Sequence, residues 1–304
     1  MGVDNTNLQP FFPEFASPED LAPHDQTRVL SRNWNALRVR RVSDPADPWF
    51  SKAYARLCTE FGPRGEIEQE EILVHRLRWN PSQIQQTEHG RYAFLYELLV
   101  VCDADNKLVA VRDHTVVIPF DEPSGEIFVH LSHVFIEPEH RGSGLAGWLR
   151  ICPIQTARRA LKLARADGVS RLDRPIVLVA EMEALENGTH GPDAIARNVR
   201  LKSYARGGFS VIDPSIVHYS QPDFRASAII DEAGGASPLA LNLIIRRVGQ
   251  ESLTEISAYS VQALIRSLYI MYGAYFRPRD MEAVWSRWRE QYPKLPKMIA
   301  LVHP

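Results

Sequence analysis

Apolar and polar positions change their period several times along the chain, and the changes mark an α/β order. Residues 36–42 alternate and predict a strand. Asp44-Pro45-Ala46-Asp47-Pro48 breaks it, with Asp47 and Pro48 suited to cap and open a helix. Phe50, Tyr54, Leu57, Cys58 and Phe61 then recur at helical spacing until Gly62. A more polar helix is predicted over 66–78, ending before Asn80-Pro81. From Tyr92 the period becomes strand-like. Residues 92–102 and 107–118 flank Asp103-Ala104-Asp105-Asn106 as a hairpin, and a turn at 121–125 leads into a third strand over 126–136.

A helix over 144–166 follows, with Pro153 inside it, where the missing N–H should kink or split it. The continuous apolar run Ile176-Val177-Leu178-Val179 within 175–181 reads as a strand buried on both faces. Residues 193–206 form a helix stopped by Gly207-Gly208. Strands are expected over 209–213, through His218 and Tyr219, and over 239–246 as the last one. Beyond it, apolar positions at helical spacing predict two helices, 257–276 and 279–292, separated at Arg277-Pro278. The Pro-, Asn- and Asp-rich stretch 1–35 reads as an extended arm with scattered aromatic anchors. The expected division is therefore an arm (1–35), an α/β domain (36–248) and a helical extension (249–304).

With 45% hydrophobic and 24% charged residues the composition is that of an ordinary globular chain, and a net charge of -2 argues against a general nucleic-acid or anionic-membrane binder. Cys58, Cys102 and Cys152 lack metal or redox spacing and read as buried small residues in a reducing compartment. No apolar run has the length of a membrane span, and a cytoplasmic location is the default expectation. The Met1–Thr6 start fits an acylation pattern in acidic surroundings that do not support it, and Asn187-Gly188-Thr189 reads as a turn.

The chemistry-bearing stretch is 130–146. An apolar strand runs into glycines at 142 and 144 and then into an amphipathic helix, which lets several N–H groups face one point at a helix N-terminus and favours an anion. There is no Gly-Lys-Ser/Thr, so a triphosphate loop does not fit; Gly142, Gly144 and Gly147 have dinucleotide-loop spacing, a short pattern that is weak by itself. Neither Gly-x-Ser-x-Gly nor His-Glu-x-x-His occurs. The same stretch also reads Arg-x-x-Gly-x-Ala, from Arg141 to Ala146. By itself it is either a phosphate cradle or a strand-to-helix turn that binds nothing.

That motif resembles the pyrophosphate-binding signature of the GNAT N-acyltransferase superfamily. The order over 36–248 (strand, two helices, three antiparallel strands, helix, strand, helix, two strands) is the order this resemblance implies. The implied fold is a mixed, mostly antiparallel central sheet flanked by helices, an α/β or α+β class, here with an added C-terminal helical pair. The implied activity is acetyl-CoA-dependent transfer of an acetyl group to a primary amine by direct attack, with coenzyme A as co-substrate and no metal.

Residue by residue, the resemblance assigns Arg141, Gly142, Ser143, Gly144, Leu145 and Ala146 to the pyrophosphate. It assigns the backbone of Val134, Phe135 and Ile136, at a bulge, to pantetheine. Tyr204, followed by Gly208 and Phe209 at the family spacing, is implied as proton donor to the thiolate. Many relatives carry an asparagine seven residues earlier, where this chain has Arg197, with Asn198 next to it. His130 stands where some relatives have a histidine base. Strand alternation gives it the parity of Ser132, Val134 and Ile136 and, in a regular strand, puts His133 on the other face, which a bulge would change. Glu181, Glu183 and Glu126 are rivals as base or as binders of a cationic substrate, with Glu181 preferred.

The implied acceptor is a small-molecule or peptide amine, with no nucleic acid and no membrane. The tail aromatics Tyr269, Tyr272, Tyr275, Phe276, Trp285 and Trp288 fit a buried face, an acceptor-pocket wall or a homodimer interface. Two alternatives stay open: a silent coenzyme A-binding sensor or structural module, and an acyltransferase for longer acyl thioesters.

Overall fold

In a computed structural model, which describes residues 12–164, 173–183 and 192–302, the strand-forming stretches pair into one eleven-stranded sheet. The elements run α1 (Phe12–Phe15), α2 (Pro23–Leu30), β1 (Leu37–Val42), α3 (Pro48–Phe61), α4 (Glu70–Arg76), β2 (Gln85–Thr87), β3 (Gly90–Asp103), β4 (Leu108–Pro119), β5 (Ile127–Ile136) and α5 (Leu145–Ala164). They continue with β6 (Ile176–Glu183), α6 (Pro192–Arg206), β7 (Ser210–Ile212), β8 (Tyr219–Gln221), α7 (Ser227–Glu232), β9 (Leu239–Arg247), β10 (Glu255–Ser257), α8 (Ala258–Gly273), α9 (Pro278–Gln291) and β11 (Met298–Val302).

The strand order is β1-β3-β4-β5-β6-β9-β7-β11-β10, with β2 against β3 and β8 against β9. All pairings are antiparallel except β5 with β6, and that parallel pairing covers only Ile127–His130 against Ile176–Val179. Past His130, β5 continues to Ile136 with β4 alone as a partner, so the sheet is parted between β5 and β6. A β-bulge precedes this stretch. Asp113 pairs with His133 and Thr115 with His130, which leaves one extra residue in β5 at Leu131–Ser132.

The sheet carries apolar layers on both faces. Ile127, Val129, Leu131 and Leu178 pack with Trp148, Leu149 and Cys152 of α5. Phe128, Val177 and Val179 pack on the other face with Leu264, Leu268 and Tyr272 of α8. Nearer β1, Phe50 and Leu57 of α3 cover Leu98, Val100 and Phe135. The 176–179 run is therefore buried on both sides because α5 and α8 sandwich it. The Asp47 side chain caps α3 by accepting from the Trp49 N–H at 2.9 Å, and Pro48 opens it.

Several sequence expectations change. Residues expected as an extended arm hold α2, opened by Pro23 and anchored by Val29 and Trp34, both fully buried. The helix over 66–78 is only Glu70–Arg76. Pro153 does not split α5, whose Trp148, Leu149, Ile151, Cys152 and Ile154 are buried on both sides of the proline. The strand over 239–246 is not the last one: β10 and β11 follow, and β11 pairs with β7 within the main sheet. In β11 the apolar signal is too short to stand out, with Ile299 its single fully buried residue. The tail forms two helices as expected. Cys102 and Cys152 are buried, whereas Cys58 is half-buried. The Met1–Thr6 and Asn187-Gly188-Thr189 readings lie outside the described residues. Among the described residues no helix is long and apolar enough to cross a membrane.

Candidate active site

A cavity of about 720 Å³ opens where β5 and β6 part, within the range of small-molecule sites. Its wall runs from the 141–147 turn and α2, past α6, to the ends of β5 and β6, the stretch after α3, and Tyr272 of α8.

At one end the turn presents backbone donors to the cavity. Gly142 and Gly144 have φ of 71° and 89°, the left-handed region that glycine tolerates. Among the described residues, no backbone or side-chain acceptor takes the N–H groups of Gly142 through Gly147; the first amide to be paired is that of Trp148, to Gly144 O. Those donors sit at the positive end of α5, which suits phosphate oxygens. The residues present thus fit a pyrophosphate. The motif arginine folds back instead, Arg141 Nε donating to Ile136 O at 2.9 Å, and Ser143 Oγ donates to His140 O.

The second glycine has another cause as well. A Cβ on Gly144 would stand 2.6 Å from Arg28 O, so α2 lies against the cradle backbone, and Arg32 Nη1 donates to Ser143 O at 3.0 Å. His24 and Arg28 of α2 line the same cavity.

Tyr204 lines the cavity from the last turn of α6. Its Gly-Phe sequel is a helix cap: Gly208 has φ of 81°, the Gly207 and Phe209 N–H groups both donate to Tyr204 O, and the Phe209 ring meets the Tyr204 ring edge-on at 5.0 Å. The spacing therefore fixes the direction of the tyrosine. Seven residues earlier Arg197 is buried and Asn198 exposed, so Asn198 does not take the family asparagine's place.

The bulge in β5 overturns the parity read for the histidines. Val134 and Ile136 pack on the α5 face, while His130 and His133 share the opposite face with Phe128 and Phe135. The backbone of Val134, Phe135 and Ile136 lies along the stretch of β5 that has no β6 partner, although the bulge itself is at 131–132. Their side chains are engaged elsewhere; the Phe135 ring sits 3.7 Å beneath the Arg56 guanidinium.

The two histidines have different surroundings. His133 Nδ1 lies 3.1 and 3.2 Å from the two oxygens of fully buried Asp113, and its Nε2 donates to Glu66 O at 2.9 Å. Burial opposes its charge, but the Asp113 carboxylate and these hydrogen bonds overcome that and raise it to about 9. Burial works against Asp113 too, yet His133 and the Tyr96 hydroxyl hold it down to about 2. With both ring nitrogens donating, His133 has no lone pair for a substrate proton.

His130 Nε2 is 3.2 Å from Glu181 Oε2, and its Nδ1 is 3.1 Å from Ser132 Oγ. The two residues read as rivals for one role are therefore partners. Tyr272 donates to Glu181 Oε2 at 3.0 Å and also lies 3.3 Å from His130 Nε2, while Tyr219 donates to Glu181 Oε1. Burial alone would raise Glu181; His130 and the two phenols reverse this and leave it below the usual carboxylate range. Burial, then the Glu181 charge, push both phenols well above theirs, so they stay donors.

The other carboxylates separate clearly. Glu126 pairs with Arg247 at 3.4 Å and does not line the cavity, which removes it as a rival. Glu183 lines it and is paired with Arg200 at 2.5 Å. Glu66 and Glu68, from the stretch after α3, also line it. Burial raises Glu66, and Glu68 forms a buried ion pair with Arg76 at 2.6 Å. Sequence reading missed Glu68, Asp113, Tyr219 and Tyr272 as a set. Tyr272 alone was marked, as one of three readings of a tail aromatic.

No protein-family model matches the chain, and no curated protein matches it. Solved structures similar to it are acetyltransferases. They include a GNAT superfamily phosphinothricin acetyltransferase from Sinorhizobium meliloti in complex with acetyl-CoA, 15% identical, covering 71% of this chain and 91% of its own, with a TM-score of 0.33. Another is spermidine N-acetyltransferase from Vibrio cholerae in complex with CoA and spermine, 14% identical over 71% of this chain and 98% of its own, at 0.32. A GCN5-related N-acetyltransferase from Kribbella flavida is 16% identical over 70% and 98%, also at 0.32. Likeness at this level carries no argument about reaction or substrate. The chain's own pairing does bear on architecture: a mostly antiparallel sheet with one parallel pair, flanked by helices, agrees with the mixed, mostly antiparallel sheet that the resemblance implies.

Proposed function

We propose that this protein is an acetyl-CoA-dependent N-acetyltransferase acting on a primary amine. The observation that carries the reading is that one cavity joins a row of unpaired amides at a helix N-terminus to a buried His130–Glu181 pair, across an unpartnered strand edge. Acetyl-CoA, when bound, supplies the activated acetyl group. The N–H groups of 142–147 hold the pyrophosphate, and the β5 edge at Val134–Ile136 aligns pantetheine as an added strand. Glu181, kept ionised by its donors, attracts the acceptor ammonium, and the His130–Glu181 pair takes up its proton. Tyr204 gives a proton to the departing sulfur.

On the acceptor side Glu66, Glu68 and Glu183 are paired with Arg64, Arg76 and Arg200, which leaves Glu181 as the carboxylate that favours a cationic amine over an anionic one. Calorimetric titration with coenzyme A, followed by a thiol-release screen with acetyl-CoA and an amine library, tests the reading. Micromolar binding with release dependent on one amine class is the expected result. Absence of coenzyme A binding overturns the reading. Binding without release for any amine favours a sensor, and faster release from long-chain thioesters favours a longer acyl donor.

A further inference from the structure

Arg112 of β4 is a cation with no carboxylate of its own. It is 1% exposed, it pairs opposite Val134, and it lines the cavity on the α5 face. Its Nε and Nη2 have no hydrogen-bond partner, and no carboxylate lies within ion-pair distance among the described residues. Three other buried arginines are held by carboxylates: Arg76 by Glu68 at 2.6 Å, Arg150 by Asp25 at 2.8 Å and Arg246 by Glu251 at 2.8 Å. The neighbouring Asp113 is on the opposite face, committed to His133 and to Tyr96, whose hydroxyl donates to it at 3.0 Å. Arg112 and Tyr204 line the same cavity. Burial lowers the guanidinium's proton affinity, and the Tyr204 phenol, ahead of the Asp113 charge, restores part of it. A buried guanidinium left in this state suits an anion that is present for only part of a reaction cycle.

We propose that Arg112, beside Tyr204, is the donor that stabilises the thiolate leaving group, a role that rests on the acyl-transfer reading above. In that reaction a C–N bond forms to the acetyl carbon and the C–S bond breaks, its electron pair departing on sulfur. The free N–H groups of Arg112 hold that charge until the Tyr204 proton reaches it, while the proton of the amine goes to the His130–Glu181 pair on the other face. The face also separates this role from the alternatives. The carboxylate-lined acceptor region lies with His130, and the phosphate donors lie at the 142–147 turn, so Arg112 meets neither an acceptor group nor the phosphates.

The test is an ultraviolet titration of the thiol of bound coenzyme A, with affinity measured in parallel, on the full chain and on Arg112→Met and Arg112→Lys. In the wild type the bound thiol should ionise at least about one pH unit below the free thiol, about a tenfold gain in thiolate. Arg112→Met should abolish that gain with coenzyme A affinity near pH 6, where the thiol is neutral, changed less than about threefold, and Arg112→Lys should keep part of it. A wild-type bound thiol that titrates like free coenzyme A overturns the role, as does a Met variant that titrates like wild type. If Arg112→Met does not fold, the wild-type titration still decides. Failure of the wild type to bind coenzyme A removes the acyl-transfer reading itself, whereas binding with an unshifted thiol removes only the role of Arg112.

Discussion

The two ends of the cavity are built from different materials. The cradle is backbone, six consecutive amides at the start of one helix, shaped by left-handed glycines. The acceptor end consists of side chains from β5, β6, β8, α8 and the stretch after α3, arranged as hydrogen-bond partners around Glu181 and His133. A backbone site depends on local conformation and tolerates change in the side chains that surround it. A side-chain site depends on every element that delivers a partner, so it fails at more positions and can be retuned at more positions.

If this contrast holds, the largest effect belongs to the acceptor end. Glu181→Gln should lower kcat/KM by about 10³-fold, because it removes the charge that attracts the ammonium and that supports His130 in taking up its proton. Coenzyme A affinity should stay within about threefold, and equal losses in both would break the separation between the ends. Next comes His133→Gln, which leaves Asp113 buried and uncompensated and should cost about 3–5 kcal/mol in denaturant unfolding. The sign of its pH dependence follows from the pair. His133 lies at about 9, above its ordinary 6.5, so its stabilisation is complete below 6.5 and is lost as pH rises through about 9. Asp113, held near 2, contributes above 3.8 and loses its contribution as pH falls towards 2. A wild-type stability that does not fall between pH 6.5 and 9, relative to His133→Gln, would refute the charged pair.

A smaller effect is expected at the cradle. Gly142→Glu adds a Cβ with no other atom within 4 Å but at a left-handed φ of 71°, and should weaken coenzyme A binding about a hundredfold through like-charge repulsion and a disturbed turn, read by calorimetry. Its kcat at saturating thioester should stay close to wild type. Smallest is Tyr204→Phe, which keeps the ring against Phe209 and removes only the proton, lowering kcat about tenfold with KM unchanged.

The same contrast explains what could be read from the sequence. The hairpin, the strand entering the glycine turn and the 176–179 run were legible because period and breakers are local signals, and they set the sheet order. The turn at 142–144 was legible because left-handed backbone leaves glycine as its trace. The bulge at 131–132 leaves none, so the parity of His130 and His133 came out wrong. The partnership of His130 with Glu181 depends on the parallel register of β5 and β6, and that of Tyr272 depends on how α8 crosses the sheet; neither is a property of a short window. Arg112 was overlooked because a lone arginine in a strand resembles any solvated position until the sheet and α5 close over it. The helical nature of 23–30 was masked by an aromatic, Pro-rich surrounding whose partners lie far along the chain.

The approach of α2 to Gly144 has a consequence for how ligand binding is felt. The back of the proposed phosphate site is the main chain of another segment, with Arg28 O 2.6 Å from where the Cβ of any other residue would stand and Arg32 donating to Ser143 O. Occupancy of the cradle and docking of α2 therefore share one free energy, so whatever tightens the loop also slows the opening of that helix. Amide hydrogen exchange in Pro23–Leu30 becomes a reporter of phosphate occupancy, recorded from residues upstream of the motif that defines the site.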